Sequence, residues 1–127
     1  MSGPARAGAL MYAGDIDRLA AFYERVIGFS IANASAERIV LTSPDMQMII
    51  HAMPPHIAPT VTVQSPPVQR GSPVRLFFTV PSIAAARSVA AALGGEVFTE
   101  QWKGPGFTVC NAMDPEGNIF QVREAAP

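Results

Sequence analysis

The run Asp15-Ile16-Asp17-Arg18-Leu19-Ala20-Ala21-Phe22-Tyr23-Glu24-Arg25-Val26-Ile27-Gly28-Phe29 decides how the rest of the chain is read. Ile16, Leu19, Ala20, Tyr23, Val26 and Ile27 recur at three- and four-residue steps, which places apolar side chains on one face of an α-helix. Asp15 carries the oxygen an N-cap needs, and Gly28 suits the left-handed residue that ends a helix. A short apolar strand, Leu10-Met11-Tyr12-Ala13, precedes the helix. Three strand-like pieces follow it: Phe29 to Asn33, Arg38 to Thr42, and Met46 to Ala52. The turn Ser43-Pro44-Asp45 separates the last two. The order is therefore βαβββ.

The second half repeats it. Arg75-Leu76-Phe77-Phe78-Thr79-Val80 has the aromatic and β-branched content of a strand. Pro81-Ser82 opens a helix with Ile83, Ala86, Ala90 and Leu93 on one face, and Gly94-Gly95 closes it. Strands are expected at Glu96 to Thr99, Phe107 to Ala112 and Ile119 to Arg123, with the turn Asp114-Pro115-Glu116-Gly117-Asn118 before the last. A shift of 67 lays Leu10 on Phe77, Ile16 on Ile83 and Gly28 on Gly95; a shift of 71 lays Ser43-Pro44 on Asp114-Pro115. The expected class is α+β, one domain over residues 1–127 with module 1 at about 7–53 and module 2 at about 74–124. Between them, Met53 to Pro73 holds six of the twelve prolines and reads as a linker. Within it, Thr60-Val61-Thr62-Val63 is either a local edge strand or solvated connector, the connector being favoured.

Composition narrows the function. Of 127 residues, 49% are apolar and 15% charged, which excludes disorder. A net charge of −1 without a basic run leaves nothing to neutralise phosphates, so neither nucleic acid nor an anionic membrane surface is an expected partner. No apolar run approaches the roughly 20 residues of a membrane span, and Met1 to Ala9 lacks the apolar core of a signal peptide. With Cys110 as the single cysteine, a cytoplasmic location is expected. Cys110 itself reads as a small buried hydrophobe rather than a nucleophile.

A repeated βαβββ module carrying Asp15-Ile16-Asp17 to Phe22-Tyr23 before Gly28-Phe29, and Asp114-Pro115-Glu116-Gly117-Asn118 before Ile119-Phe120-Gln121, resembles the vicinal oxygen chelate superfamily. That group includes glyoxalase I, extradiol dioxygenases, fosfomycin-resistance transferases and bleomycin-resistance proteins. The resemblance runs from Gly8 to Glu124. It implies that each module curls four strands into half of a cup, and that single-domain members pair as homodimers with sites built from two subunits.

In the metal-dependent members, His or Glu side chains at four matching strand positions hold a cation. Counting from the helix caps and the Asp-Pro turn, those positions fall here on Gly8, Ile50, Arg75 and Gln121. None is a His, Cys or carboxylate, and Arg75 brings a fixed positive charge. No metal and no other cofactor is therefore expected. The resemblance then points to the metal-free branch, whose members bind and sequester antibiotics or other planar compounds.

Strand parity places Tyr12, Phe77, Gln121 and Arg123 on the face that carries Gly8 and Arg75. Trp102 sits in Glu100-Gln101-Trp102-Lys103-Gly104-Pro105-Gly106-Phe107, a loop of the kind that overhangs the cup in the family this chain resembles. The candidate ligand-binding residues are Tyr12, Arg75, Phe77, Trp102, Phe107 and Gln121. Trp102 either stacks on a flat ligand or covers the core or dimer seam. Arg75 either meets an anionic ligand or pairs with Glu96, Glu100 or Glu124. His51 and Glu100 are weak candidates for a general base, His51 reading first as a partly buried or edge histidine. His56 reads as solvated. The leading expectation is a non-catalytic small-molecule binder; the rivals are a glyoxalase-like enzyme with a degenerate metal site and a structural dimer whose cup is closed.

Overall fold

The computed structural model describes residues 4–57, 64 and 66–127. The chain divides into two compact units, Met1–Thr62 and Val63–Pro127. Thr60 to Val63 lies outside the described residues, as do Met1 to Gly3.

The first unit contains β1 (Gly8–Ala13), α1 (Ile16–Ile27), β2 (Ser30–Ala34), β3 (Arg38–Thr42) and β4 (Gln47–Ala52). Asp15 caps α1 by accepting from Arg18 N at 3.1 Å, and Gly28 closes it in the left-handed region at φ 101°. Of the apolar stripe read from the sequence, Leu19, Ala20, Tyr23 and Val26 are buried, while Ile16 and Ile27 are half-buried; Phe22, outside that stripe, is buried as well. The strands lie in the order β1-β4-β3-β2, with β1 parallel to β4 and the remaining pairs antiparallel.

The second unit repeats the plan with β5 (Phe77–Thr79), α2 (Ile83–Ala92), β6 (Glu96–Gly104), β7 (Phe107–Met113) and β8 (Ile119–Ala125), in the sheet order β5-β8-β7-β6. Ser82 caps α2 through Ala85 N, and Glu124 Oε1 accepts a second N-terminal bond from Ile83 N at 2.6 Å. The α+β class with two βαβββ modules is thus as expected. Among the described residues no helix is long and apolar enough to cross a membrane.

Each sheet has one covered and one open face, because side chains alternate along a strand. Met48 and Ile50 on β4, Cys110 and Ala112 on β7, and Val122 on β8 are fully buried on the helix side. Cys110 is the buried hydrophobe expected of it, with Arg87 Nη2 at 3.7 Å from its Sγ. Strand β6 runs to Gly104, five residues further than expected. A bulge between Val97 and Gln101 interrupts its pairing with β7, and Arg87 holds the Val97 and Phe98 carbonyls there.

The turn into β8 is held by a buried polar network. Asp114 is fully buried, and its carboxylate accepts from Glu116 N, Asn118 N and Asn118 Nδ2 at 2.9, 3.1 and 2.8 Å. Arg70 braces the same turn, donating from its backbone to Gly117 O and from Nη2 to Asn118 Oδ1. A fixed turn fixes the register of β8, and so the face on which Gln121 and Arg123 emerge.

Candidate functional site

The open face of the first unit is set by register. Gly8 pairs with Gln47, Leu10 with Ile49 and Tyr12 with His51 across β1 and β4; Thr42, Val40 and Arg38 continue these rows on β3. Tyr12 meets His51 edge to face, with ring centroids 5.9 Å apart. His51 Nδ1 lies 2.7 Å from Ala52 O, and since a carbonyl only accepts, Nδ1 is the donor there. At the start of β1 an open cleft of about 370 Å³ is lined by Arg6, Gly8, Leu10, Gln47 and Ile49.

This register corrects one sequence assignment. Ile50 is fully buried on the helix side, and the position that matches Gln121 is Ile49. The reason is the turn before β4. Ser43 N bonds Met46 O, whereas Asp114 N bonds Asn118 O, so the second turn is one residue longer than the first. A shift of 71 therefore becomes 72 beyond the turn. His51, on an inner strand and partly buried, falls on the open face, one row from Ile49.

In the second unit the open face carries four rows. Thr79, Arg123, Val109 and Trp102 form one; Phe77, Gln121 and Asn111 form the next; Ile119, Met113 and Glu96 follow it; Phe107 and Gly104 pair on the other side of the Arg123 row. Gln121 Nε2 donates to Asn111 Oδ1 at 3.3 Å. Arg123 lies over two aromatic rings, its Cζ 3.8 Å from the Phe77 centroid and 4.3 Å from that of Phe107. Its Nε is buried and has no hydrogen-bond partner among the described residues.

Four of the residues chosen from sequence thus share one face: Phe77, Trp102, Phe107 and Gln121. Tyr12 belongs to the open face of the first unit. Trp102 is a β6 residue, not a loop residue, because the strand extends past the bulge to Gly104. Phe107 begins β7. Arg75 is exposed and precedes β5, which begins at Phe77; the arginine fixed within the sheet is Arg123. Parity had marked Arg123 as inward. Its stacking on two phenylalanines that are distant in sequence had no local signal. Glu100 is exposed within the β6 bulge and His56 is exposed.

The fold's metal positions can be tested on the residues present. With the register corrected they are Gly8, Ile49, Arg75 and Gln121. Three provide no neutral or anionic donor, and Gln121 provides one amide oxygen. At Gly8 the difficulty is steric as well, since a Cβ there would run into the carbonyl oxygen of Gln47. Among the described residues, no three His, Cys, Asp or Glu side chains gather as a cation would need. The donor set does not fit a divalent ion.

Solved structures share this architecture. A glyoxalase/bleomycin resistance protein/dioxygenase family enzyme from Burkholderia phytofirmans PsJN aligns with a TM-score of 0.71 at 20% identity, covering 94% of this chain and 98% of its own. A bleomycin-binding protein complexed with bleomycin aligns at 0.62 and 20% identity over 95% and 98%. The genomically encoded fosfomycin resistance protein FosX from Listeria monocytogenes aligns at 0.68 and 13% identity over 99% and 95%. At such identities the likeness is one of fold. No curated protein matches the sequence. The sequence from residue 9 to residue 123, which spans both βαβββ modules, matches the glyoxalase-like domain, and the chain belongs to that family.

Proposed function

We propose that this protein binds a small aromatic or anionic molecule without a catalytic metal, in the manner of the bleomycin-binding neighbour, and does so as a cytoplasmic homodimer. The observation that carries this reading is the open face of the second unit, where Phe77, Trp102 and Phe107 surround Arg123 and Gln121. A helix-covered sheet ordinarily leaves a polar outer face. Here Phe77 is 55% and Trp102 44% exposed, the exposure expected of rings that stack on a flat ligand. The donor set at the fold's metal positions supports the metal-free part of the reading, because no anionic or imidazole ligand stands there.

The test has two arms. Purified protein is analysed for Zn, Fe, Mn and Ni, and the fluorescence of Trp102, the single tryptophan, is followed during titration with planar aromatic compounds. Quenching with sub-stoichiometric metal is expected. Stoichiometric metal overturns the metal-free reading, and an unmoved emission across the series overturns Trp102 as a stacking surface.

A second reading, a glyoxalase-like lyase or dioxygenase-like enzyme with a degenerate metal site, is favoured by one feature. His51 spends Nδ1 on Ala52 O and lies edge to face with the Tyr12 ring, which leaves Nε2 as the ring nitrogen a general base would use. Under that reading His51→Gln abolishes turnover while leaving ligand-induced quenching intact.

A further inference from the structure

We propose that the open face of the second unit receives the carboxylate of a planar aromatic acid, with Arg123 as the anion-binding residue. This rests on the small-molecule reading above and gives its ligand a chemical class.

Arg123 is held but not satisfied. The rings of Phe77 and Phe107 attract the cation through their π faces, with Cζ at 3.8 and 4.3 Å from their centroids. Neither ring supplies a lone pair to the guanidinium N–H groups, and Nε is buried with no acceptor among the described residues. A buried donor left unmet is costly, so an acceptor brought by a ligand gains more here than at a solvated arginine. The adjacent carboxylate, Glu124, is committed elsewhere, accepting from Ile83 N at the start of α2.

The rest of the face selects the anion. The residues paired around Arg123 in its own row and the rows beside it, Thr79, Val109, Trp102, Phe77, Gln121, Asn111, Phe107 and Gly104, are uncharged, and the one carboxylate of the paired strands on this face, Glu96, stands two rows from Arg123 in the row of Met113 and Ile119. One fixed positive charge with neutral amides one row away matches a monoanion. A phosphate dianion calls for a second cation, which the paired strands of this face do not contain. Phe77 and Trp102 lie on either side of Arg123 in the sheet and offer ring surface to the ligand's body.

The experiment compares 2-naphthoate, 2-naphthamide and 2-naphthyl phosphate on the full chain, by calorimetry and Trp102 fluorescence. The proposal expects naphthoate to bind at least tenfold tighter than naphthamide. In Arg123→Gln that preference disappears, the naphthoate-to-naphthamide affinity ratio falling to within about twofold. Arg123→Lys, which keeps the charge but not the planar fork, retains part of it. Circular dichroism and thermal melting establish that the variants fold, and the wild-type comparison stands without them. Equal binding of acid and amide by the wild type, or an undiminished preference in a folded Arg123→Gln, overturns the carboxylate assignment alone. Tighter binding of the phosphate by tenfold or more overturns the monoanion. Absence of binding by all three overturns this assignment and the small-molecule reading together.

Discussion

At the scale of single residues, Arg123 depends on a neighbour that depends on a glycine. A Cβ on Gly104 would run into the Phe107 ring, and that ring lies under the Arg123 guanidinium. Gly104→Ala therefore pushes the ring out of place, and overpacking of this kind costs about 1–3 kcal/mol. The expected result is a lower Tm together with a weaker preference for naphthoate, both measured on the same sample. Gly8 makes the opposite case. Gly8→His restores the family's ligand type, but its Cβ meets Gln47 O and its row partners on β4 and β3 are Gln47 and Thr42. It is expected to lower Tm and to take up no stoichiometric Zn or Ni by elemental analysis; uptake of one equivalent would contradict the donor-set argument. Sequence parity was enough to find Phe77 and Gln121. Parity puts Arg75 and Arg123 on one face alike, and Arg75 stands out in sequence only because it falls on a metal-equivalent position; β5 begins at Phe77, and strand ends are where local pattern is weakest. The cation–ring contacts join residues from β5, β7 and β8, and no spacing rule connects those.

At the scale of elements, the Asp-Pro-Glu-Gly-Asn turn is structural rather than chemical. The Asp114 carboxylate is buried and accepts from Glu116 N, Asn118 N and Asn118 Nδ2. Asp114→Ala leaves two backbone donors and one amide without their acceptor, and the loss is expected to be about 3 kcal/mol or more. Urea unfolding measures it. Asp15→Ala, which removes one bond to Arg18 N at an exposed helix end, is expected to cost only about 1 kcal/mol. A reversal of that order would mean that the turn is not what fixes β8. The helices and their caps were legible in sequence because apolar spacing and capping residues are local. The sheet register was not, because it turns on the one-residue difference between a Ser43–Met46 turn and an Asp114–Asn118 turn. That difference moved the metal-equivalent position from Ile50 to Ile49 and brought His51 onto the open face.

At the scale of the whole molecule, each unit covers one sheet face with its helix and leaves the other open. Leu10 at 52% exposure lies on that face in the first unit, Phe77 and Trp102 in the second. The homodimer proposed above calls for an exposed apolar face to cover, and on the first unit Leu10 is such a residue. An isologous dimer buries the same patch twice and needs no second protein. Sedimentation equilibrium is therefore expected to give about 27 kDa, twice the 13.5 kDa of the chain. If the dimer contributes to folding, mass action makes Tm rise with protein concentration, since only the associated state binds its partner. Leu10→Asp places a charge on the open face of the first unit without touching its helix-covered core, so it is expected to lower the measured mass towards 13.5 kDa and to remove the concentration dependence of Tm. A wild-type chain that sediments as a monomer with a concentration-independent Tm would require the two open faces to be satisfied by ligand and solvent alone.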